Sequence, residues 1–285
     1  MAAMYGDAAI ENSVILLLRV FRRICFQGIL MKLFSIFKQI SLTLGFYSTA
    51  RAISRMLKPD VRRAWQEDID MYRELLPEKA LCFDVGAHFG AKSETLLLAG
   101  ARVVAFEPNT AVIPELNARC AKNPQWSLVA TAMGNKPSIA RLNLHQRSGE
   151  SSFDSGWKGG EHFVGTTCVP VMTLDAAIEI FGVPYYCKID VEGWEDEVLN
   201  GLSTPIPLIS FEFHINEQIT PRTIRCLERL LEFGPARVNV TPAESSRFHF
   251  PEWMPLDEFV RWYPGDLERT LPLYPVGDIY VLLGT

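Results

Sequence analysis

The chain predicts an α/β protein built on a parallel sheet, preceded by a helical extension. Three observations carry this. From residue 81 onward, apolar strand-like runs alternate with helix-like stretches, the mark of a parallel sheet covered on both faces. One run ends in Asp84 and enters the turn Gly86-Ala87-His88-Phe89-Gly90. The next ends in Glu107, 23 positions after Asp84, and in open α/β sheets an acidic residue at about this distance reaches the ribose hydroxyls of a nucleotide-like cofactor.

The elements follow in order. Residues 64–76 form an approach helix stopped by Pro77, because proline cannot continue a helix. Strand one is 81–85, and its helix, 93–99, is closed by Gly100. Strand two is 102–107, with a helix over 111–121, and strand three is 127–132. Strand four is 186–190, with a helix opening near Glu195. Strand five is 208–213, with a helix over 221–233; strands at 236–240 and 278–283 complete the set. An insertion, 139–171, separates strands three and four. Its ends, 141–145 and 166–171, alternate like paired strands, and the serine- and glycine-rich stretch 149–160 between them has the composition of a substrate lid or of a solvated hairpin loop. The Pro-rich stretch 241–263 carries Phe248, His249, Phe250, Trp253 and Trp262, which either stack on sugar rings or form local core.

The glycine turn narrows the cofactor. Dinucleotide binders place a middle glycine where backbone meets a pyrophosphate; here that position is missing, and Asp84 puts an anion beside the turn. A carboxylate suits a cationic amino group, so S-adenosylmethionine fits better than a nicotinamide cofactor. Asp84, Gly86, Ala87, His88 and Gly90 are expected to face its methionine part, Glu107 its ribose, and Ala132 and Met133 its adenine, with Pro108 also among the cofactor-binding residues.

Asp84-Val85-Gly86-Ala87 with Gly90, Phe106-Glu107-Pro108-Asn109 and Lys188-Ile189-Asp190-Val191-Glu192-Gly193 together resemble the FkbM-type methyltransferases. Ala132-Met133-Gly134-Asn135, Thr173-Leu174-Asp175, Phe211-Glu212 and Gly277-Asp278-Ile279-Tyr280 add to the match, which runs from about residue 80 to the C-terminus. The resemblance implies a Rossmann-like, seven-stranded class I methyltransferase sheet with helices on both faces. It also implies methylation of a hydroxyl on a sugar, glycolipid or polyketide. His88 departs from the family, where Asn is more usual. The domain is expected at 77–285, with 1–76 as the helical extension.

The chemistry should gather at the carboxyl ends of the strands, where open α/β sheets bind ligands. Asp190, Glu192 and Glu212 form a candidate acidic pocket there, and His214, two positions past Glu212 on the same strand face, is a candidate base. Two roles are open for the carboxylates: holding a divalent cation such as magnesium, which lowers a hydroxyl pKa, or capping helices and pairing with a base such as Lys188. O-methylation is the leading function. N- or C-methylation, and a non-catalytic methyltransferase-fold scaffold anchored by its N-terminal helices, are the alternatives; intact Asp84, Glu107 and Asp190 speak against the scaffold.

Charge is divided unevenly. Residues 1–63 carry ten Lys/Arg against three acids, +7, whereas the remainder carries −12. An acidic body argues against a nucleic acid substrate, which needs a basic footprint. Six cysteines without a C-x-x-C spacing point to a reducing, cytoplasmic setting. In the N-terminal segment Arg19, Lys32 and Lys38 interrupt the apolar runs, which disfavours a membrane-spanning helix. Residues 13–47 then read as a basic amphipathic helix on an anionic membrane surface, or as a lid or homodimer arm.

Overall fold

The computed structural model describes residues 59–146, 148–157, 162–243, 245–263, 265 and 276–284. The segment 13–47, read above as a membrane-surface helix or arm, lies outside the described residues. No described helix is long and apolar enough to cross a membrane.

The first described helix, α1 (Pro59–Leu75), covers the expected 64–76 apart from its last residue, includes five residues before it, and ends before Pro77. Then follow β1 (Leu81–Val85), α2 (Ala91–Leu98), β2 (Arg102–Phe106), α3 (Ile113–Cys120) and β3 (Trp126–Val129). The insertion holds β4 (Ala132–Met133), β5 (Ser138–His145) and β6 (Phe163–Met172). Next come α4 (Leu174–Phe181), β7 (Tyr186–Ile189), α5 (Glu195–Leu199), β8 (Leu208–His214) and α6 (Thr220–Leu231). The chain closes with β9 (Ala236–Pro242), β10 (Met254–Pro255), α7 (Leu256–Trp262) and β11 (Val276–Leu283).

The main sheet has the order β10-β9-β11-β8-β7-β1-β2-β3. The pairs from β8 to β3 are parallel, and β11 runs antiparallel between β8 and β9. Seven strands therefore form the expected class I methyltransferase arrangement, and the two-residue β10 adds an eighth at the edge. The insertion forms its own three-stranded sheet, β4-β6-β5, whose β5/β6 pair is the expected hairpin with longer arms.

Successive strand residues point to opposite faces, so the sheet separates two cores. One holds Phe83, Val85, Val104, Phe106, Ile189, Phe211 and Val240. The other holds Cys82, Leu96, Val103, Tyr186 and Tyr280 with Tyr72 of α1. The Tyr72 hydroxyl lies 3.2 Å from that of Tyr186 and 2.9 Å from that of Tyr280, and Tyr186 reaches Ser210 Oγ at 2.7 Å. Buried hydroxyls need such partners. Through them α1 packs against the sheet.

Helices α4 and α7 were not expected. Thr173 caps α4, its hydroxyl accepting from the Ala176 N–H at 3.1 Å. In the late stretch Phe248 packs edge-on against Trp253 and Tyr280, and Phe250 against Phe259 and Trp262. Those aromatics are local core. The five described cysteines are free.

Candidate functional site

The strand order reverses between β1 and β7: β2 and β3 extend the sheet on one side, β7 and β8 on the other. Ligands of open α/β sheets settle outside the carboxyl ends at such a point. A narrow cleft opens there. Its walls come from four places: the β1 turn (Gly86, His88), the end of β2 (Glu107, Pro108, Asn109), the Thr131–Met133 segment, and the Asp190-Val191-Glu192 loop. The insertion supplies a further wall through Leu142, Gly149, Ser151 and Phe153.

Gly86 adopts φ +80, and a Cβ built on it would stand 1.8 Å from the Asp190 carbonyl oxygen. Only glycine lets β1 and β7 approach so closely at this turn. The Gly86 and Ala87 N–H groups donate to the Phe106 carbonyl at 2.9 and 3.1 Å, which ties the turn to the end of β2. His88 also sits at positive φ, +47. Asn and His are among the side chains that tolerate this region, so the exchange of the family's Asn for His keeps the backbone. The His88 ring packs on Phe89 with centroids 3.8 Å apart, and a Cβ on Gly149 would meet it at 3.0 Å. Burial pulls its imidazole down to about 4, so it is neutral at physiological pH.

Glu107 is 6% exposed. Its Oε2 accepts the His88 N–H at 2.7 Å and its Oε1 the Asn109 N–H at 2.8 Å. Burial outweighs these two bonds and pushes its carboxyl up to about 7. Each carboxylate oxygen has a second lone pair, so the acceptor capacity that ribose hydroxyls need remains on a group that lines the cleft.

Asp84, expected to face the cofactor, is fully buried and is not part of the cleft wall. Its Oδ2 accepts from Ser93 Oγ at 2.6 Å, while Oδ1 has no hydrogen-bond partner among the described residues. Burial raises its carboxyl against the pull of Lys188. Ala87 is buried against Leu116 and Cys120, and Gly90 opens α2 in a left-handed conformation; both shape the turn from behind. Gly86, His88, Glu107, Pro108, Ala132 and Met133 all line the cleft.

The acidic residues do come together. Carboxylate oxygens of Asp190, Glu192 and Glu212 lie within 4.8 Å of one another. Lys188 Nζ donates to Asp190 Oδ2 at 2.5 Å. Burial opposes ionisation of Asp190, but the Lys188 ammonium and its hydrogen bond outweigh it and hold the carboxyl below the usual range. The Asp84 and Asp190 charges likewise keep buried Lys188 protonated. His214 Nε2 lies 3.0 Å from Glu212 Oε2. Glu212 and His214 stand beside the cleft, while Asp190 and Glu192 line it.

One family comparison decides the assignment. The Methyltransferase FkbM domain matches residues 84–234, more than half of the chain. The chain belongs to the FkbM methyltransferase family. It is a methyltransferase of the S-adenosylmethionine-dependent class. No curated protein matches it. Among solved structures it is similar to precorrin-6y C5,15-methyltransferase from Geobacter metallireducens GS-15 (TM-score 0.40, 9% identity, 78% of this chain and 86% of that one). A putative SAM-dependent methyltransferase from Streptococcus mutans (0.41, 9%, 78% and 48%) and an rRNA methylase from Streptococcus thermophilus (0.39, 8%, 75% and 92%) are similar too.

The sequence reading gave no site role to Thr131 or Leu142, which line the cleft of this FkbM methyltransferase, and placed Ser151 and Phe153 only within the candidate lid 149–160. The same stretch holds Trp157, whose Nε1–H donates to Glu192 Oε2 at 2.8 Å. The aromatics of the insertion were a visible signal; their docking on a loop 35 positions away was not.

Proposed function

We propose that this protein methylates a hydroxyl group on a sugar, a glycolipid or another small natural product, with S-adenosylmethionine as the methyl donor. The observation that carries the reading is the group of three carboxylates, Asp190, Glu192 and Glu212, at the mouth of the cleft that Glu107 lines. An amine in its free-base form attacks a methyl donor without help, but a hydroxyl must lose its proton, and carboxylates placed beside it serve that need.

The residues fit the cofactor. Glu107 accepts the ribose 2′- and 3′-hydroxyls on its remaining lone pairs. Ala132, Met133 and Leu142 give the adenine an apolar wall, and Gly86 lets backbone close on the methionine part. When bound, S-adenosylmethionine supplies an electrophilic methyl group on a sulfonium. Asp190 stays ionised through Lys188, which makes it a weak base and a fixed negative charge at the cleft. Glu192 lines the cleft and takes the proton of the acceptor hydroxyl. Glu212, paired with His214, stands behind it to receive that proton or to share its charge. The walls hold the acceptor oxygen in line with the donor. The oxygen donors of the three acids also suit a hard divalent cation such as magnesium.

The test is transfer of a radiolabelled methyl group to a panel of sugars, glycolipids and amines, with magnesium and with a chelator. We expect label on a hydroxyl, and loss of at least about 100-fold in turnover for Glu192→Gln with S-adenosylhomocysteine affinity kept. Label on amines alone would replace O-methylation by N-methylation. Failure to bind S-adenosylhomocysteine would leave the scaffold reading. Loss of turnover in chelator, restored by magnesium, would add the metal.

A further inference from the structure

Glu192 is held in an unusual way. It adopts φ +54, and Gly193 after it adopts φ +90. A non-glycine residue in the left-handed region is strained and persists only where its surroundings impose it. Here the surroundings are the insertion and α6. Ser152 Oγ donates to the Glu192 carbonyl at 2.7 Å. Trp157 Nε1–H donates to the Glu192 carboxylate at 2.8 Å. The Trp157 ring covers Gly193 so closely that a Cβ there would stand 2.4 Å from it. Arg222 of α6 donates to the Gly193 carbonyl and pairs with Asp154 of the insertion. The indole also meets His214 edge-on, centroids 6.1 Å apart, and is itself 4% exposed. Below the loop, Glu195 Oε1 accepts the Val191 and Gly193 N–H groups at 3.1 and 3.2 Å.

We infer that Trp157 is a positioning residue: its indole N–H aims the Glu192 carboxylate into the cleft, and its ring locks the Glu192-Gly193 turn that presents it. The inference rests on Glu192 being the proton acceptor of the proposed reaction. The hydrogen bond constrains the side-chain torsions of a long carboxylate, which is what placement of a catalytic group requires. The insertion is thus a working wall of the site, closed on the acidic loop by two direct bonds, from Ser152 and Trp157, and by the Arg222 bridge, and no mere hairpin on the surface.

The experiment compares turnover, acceptor KM and S-adenosylhomocysteine affinity of the full chain in wild type, Trp157→Phe, Glu192→Gln and the double variant. We expect Trp157→Phe, which keeps an aromatic ring and loses the N–H, to lower kcat by roughly 10-fold or more with acceptor KM and S-adenosylhomocysteine affinity kept, and to cost no further activity when added to Glu192→Gln. Wild-type kcat in Trp157→Phe, or losses that add in the double variant, would overturn the inference. Should Trp157→Phe fail to fold, the indole N–H resonances of the wild type answer the same question: one of them must shift in Glu192→Gln, and if none does, the inference fails. Glu192→Gln with full turnover removes the catalytic reading. Glu192→Gln inactive, with Trp157→Phe fully active, leaves that reading intact and removes the positioning role.

Discussion

Glu107 accepts the backbone N–H of His88 at 2.7 Å, across 19 residues of chain. This bond joins the two motifs that first mark the sequence, the β1 turn and the acidic end of β2. It also explains why they recur together. The turn needs a partner for its N–H, and the carboxylate needs the turn to fix its position while its other lone pairs stay open to a ligand.

The cofactor should bind more weakly in acid. Burial lifts the Glu107 carboxyl to about 7, and the ionised form is the one that accepts ribose hydroxyls. Below pH 7 affinity for S-adenosylhomocysteine should fall toward tenfold per pH unit, measured by calorimetry between pH 5.5 and 8.5. Stability should move in the opposite sense. The folded protein holds this proton, and that of Glu195, also raised to about 7 by burial, more tightly than the unfolded chain does. Both groups therefore favour folding fully below the usual glutamate range, and lose that contribution as pH rises through 7. An affinity flat across this range would contradict the assignment.

His88→Asn should fold and bind normally, because Asn tolerates φ +47. His88→Val should lower stability by about 1–3 kcal/mol, since a β-branched side chain is strained there. Thermal unfolding of the two variants separates backbone from side-chain chemistry.

Lys188→Met should be among the most damaging single changes. It removes the cation that most favours ionisation of Asp190 and the buried Asp84, and removing one partner of a buried pair costs about 3–5 kcal/mol. A denaturant midpoint close to that of the wild type would show that the acids are held by something other than Lys188.

Tyr72→Phe removes one hydroxyl from the buried trio and should cost about 1–3 kcal/mol, because Tyr280 and Tyr186 lose a partner without gaining water. The same change tests whether α1 belongs to the folding unit: an unaltered unfolding curve would mean that it does not.

Much of this was legible in the chain because the signals are local. The glycine turn after β1 stands in the sequence as a motif, and the carboxylates at or near strand ends, Glu107, Asp190 and Glu212, follow from the apolar runs that precede them. The insertion hairpin was legible by its alternation. What sequence hid is set by distant packing. Asp84 carries the motif yet turns inward to Ser93. Tyr72 looks like a residue of the extension and belongs to the core through partners more than 100 positions away. Helix α4 had a local signal, the Thr173 cap ahead of Leu174 and Ala177, while α7 was obscured by the prolines around it.

Calorimetric titration of the full chain with S-adenosylhomocysteine, in wild type and Glu107→Ala, tests the central claim most directly. Micromolar binding in the wild type, weakened by at least about 100-fold in Glu107→Ala, is the result expected of a cleft that holds the cofactor by its ribose. Absence of binding, or binding untouched by the loss of Glu107, would contradict it.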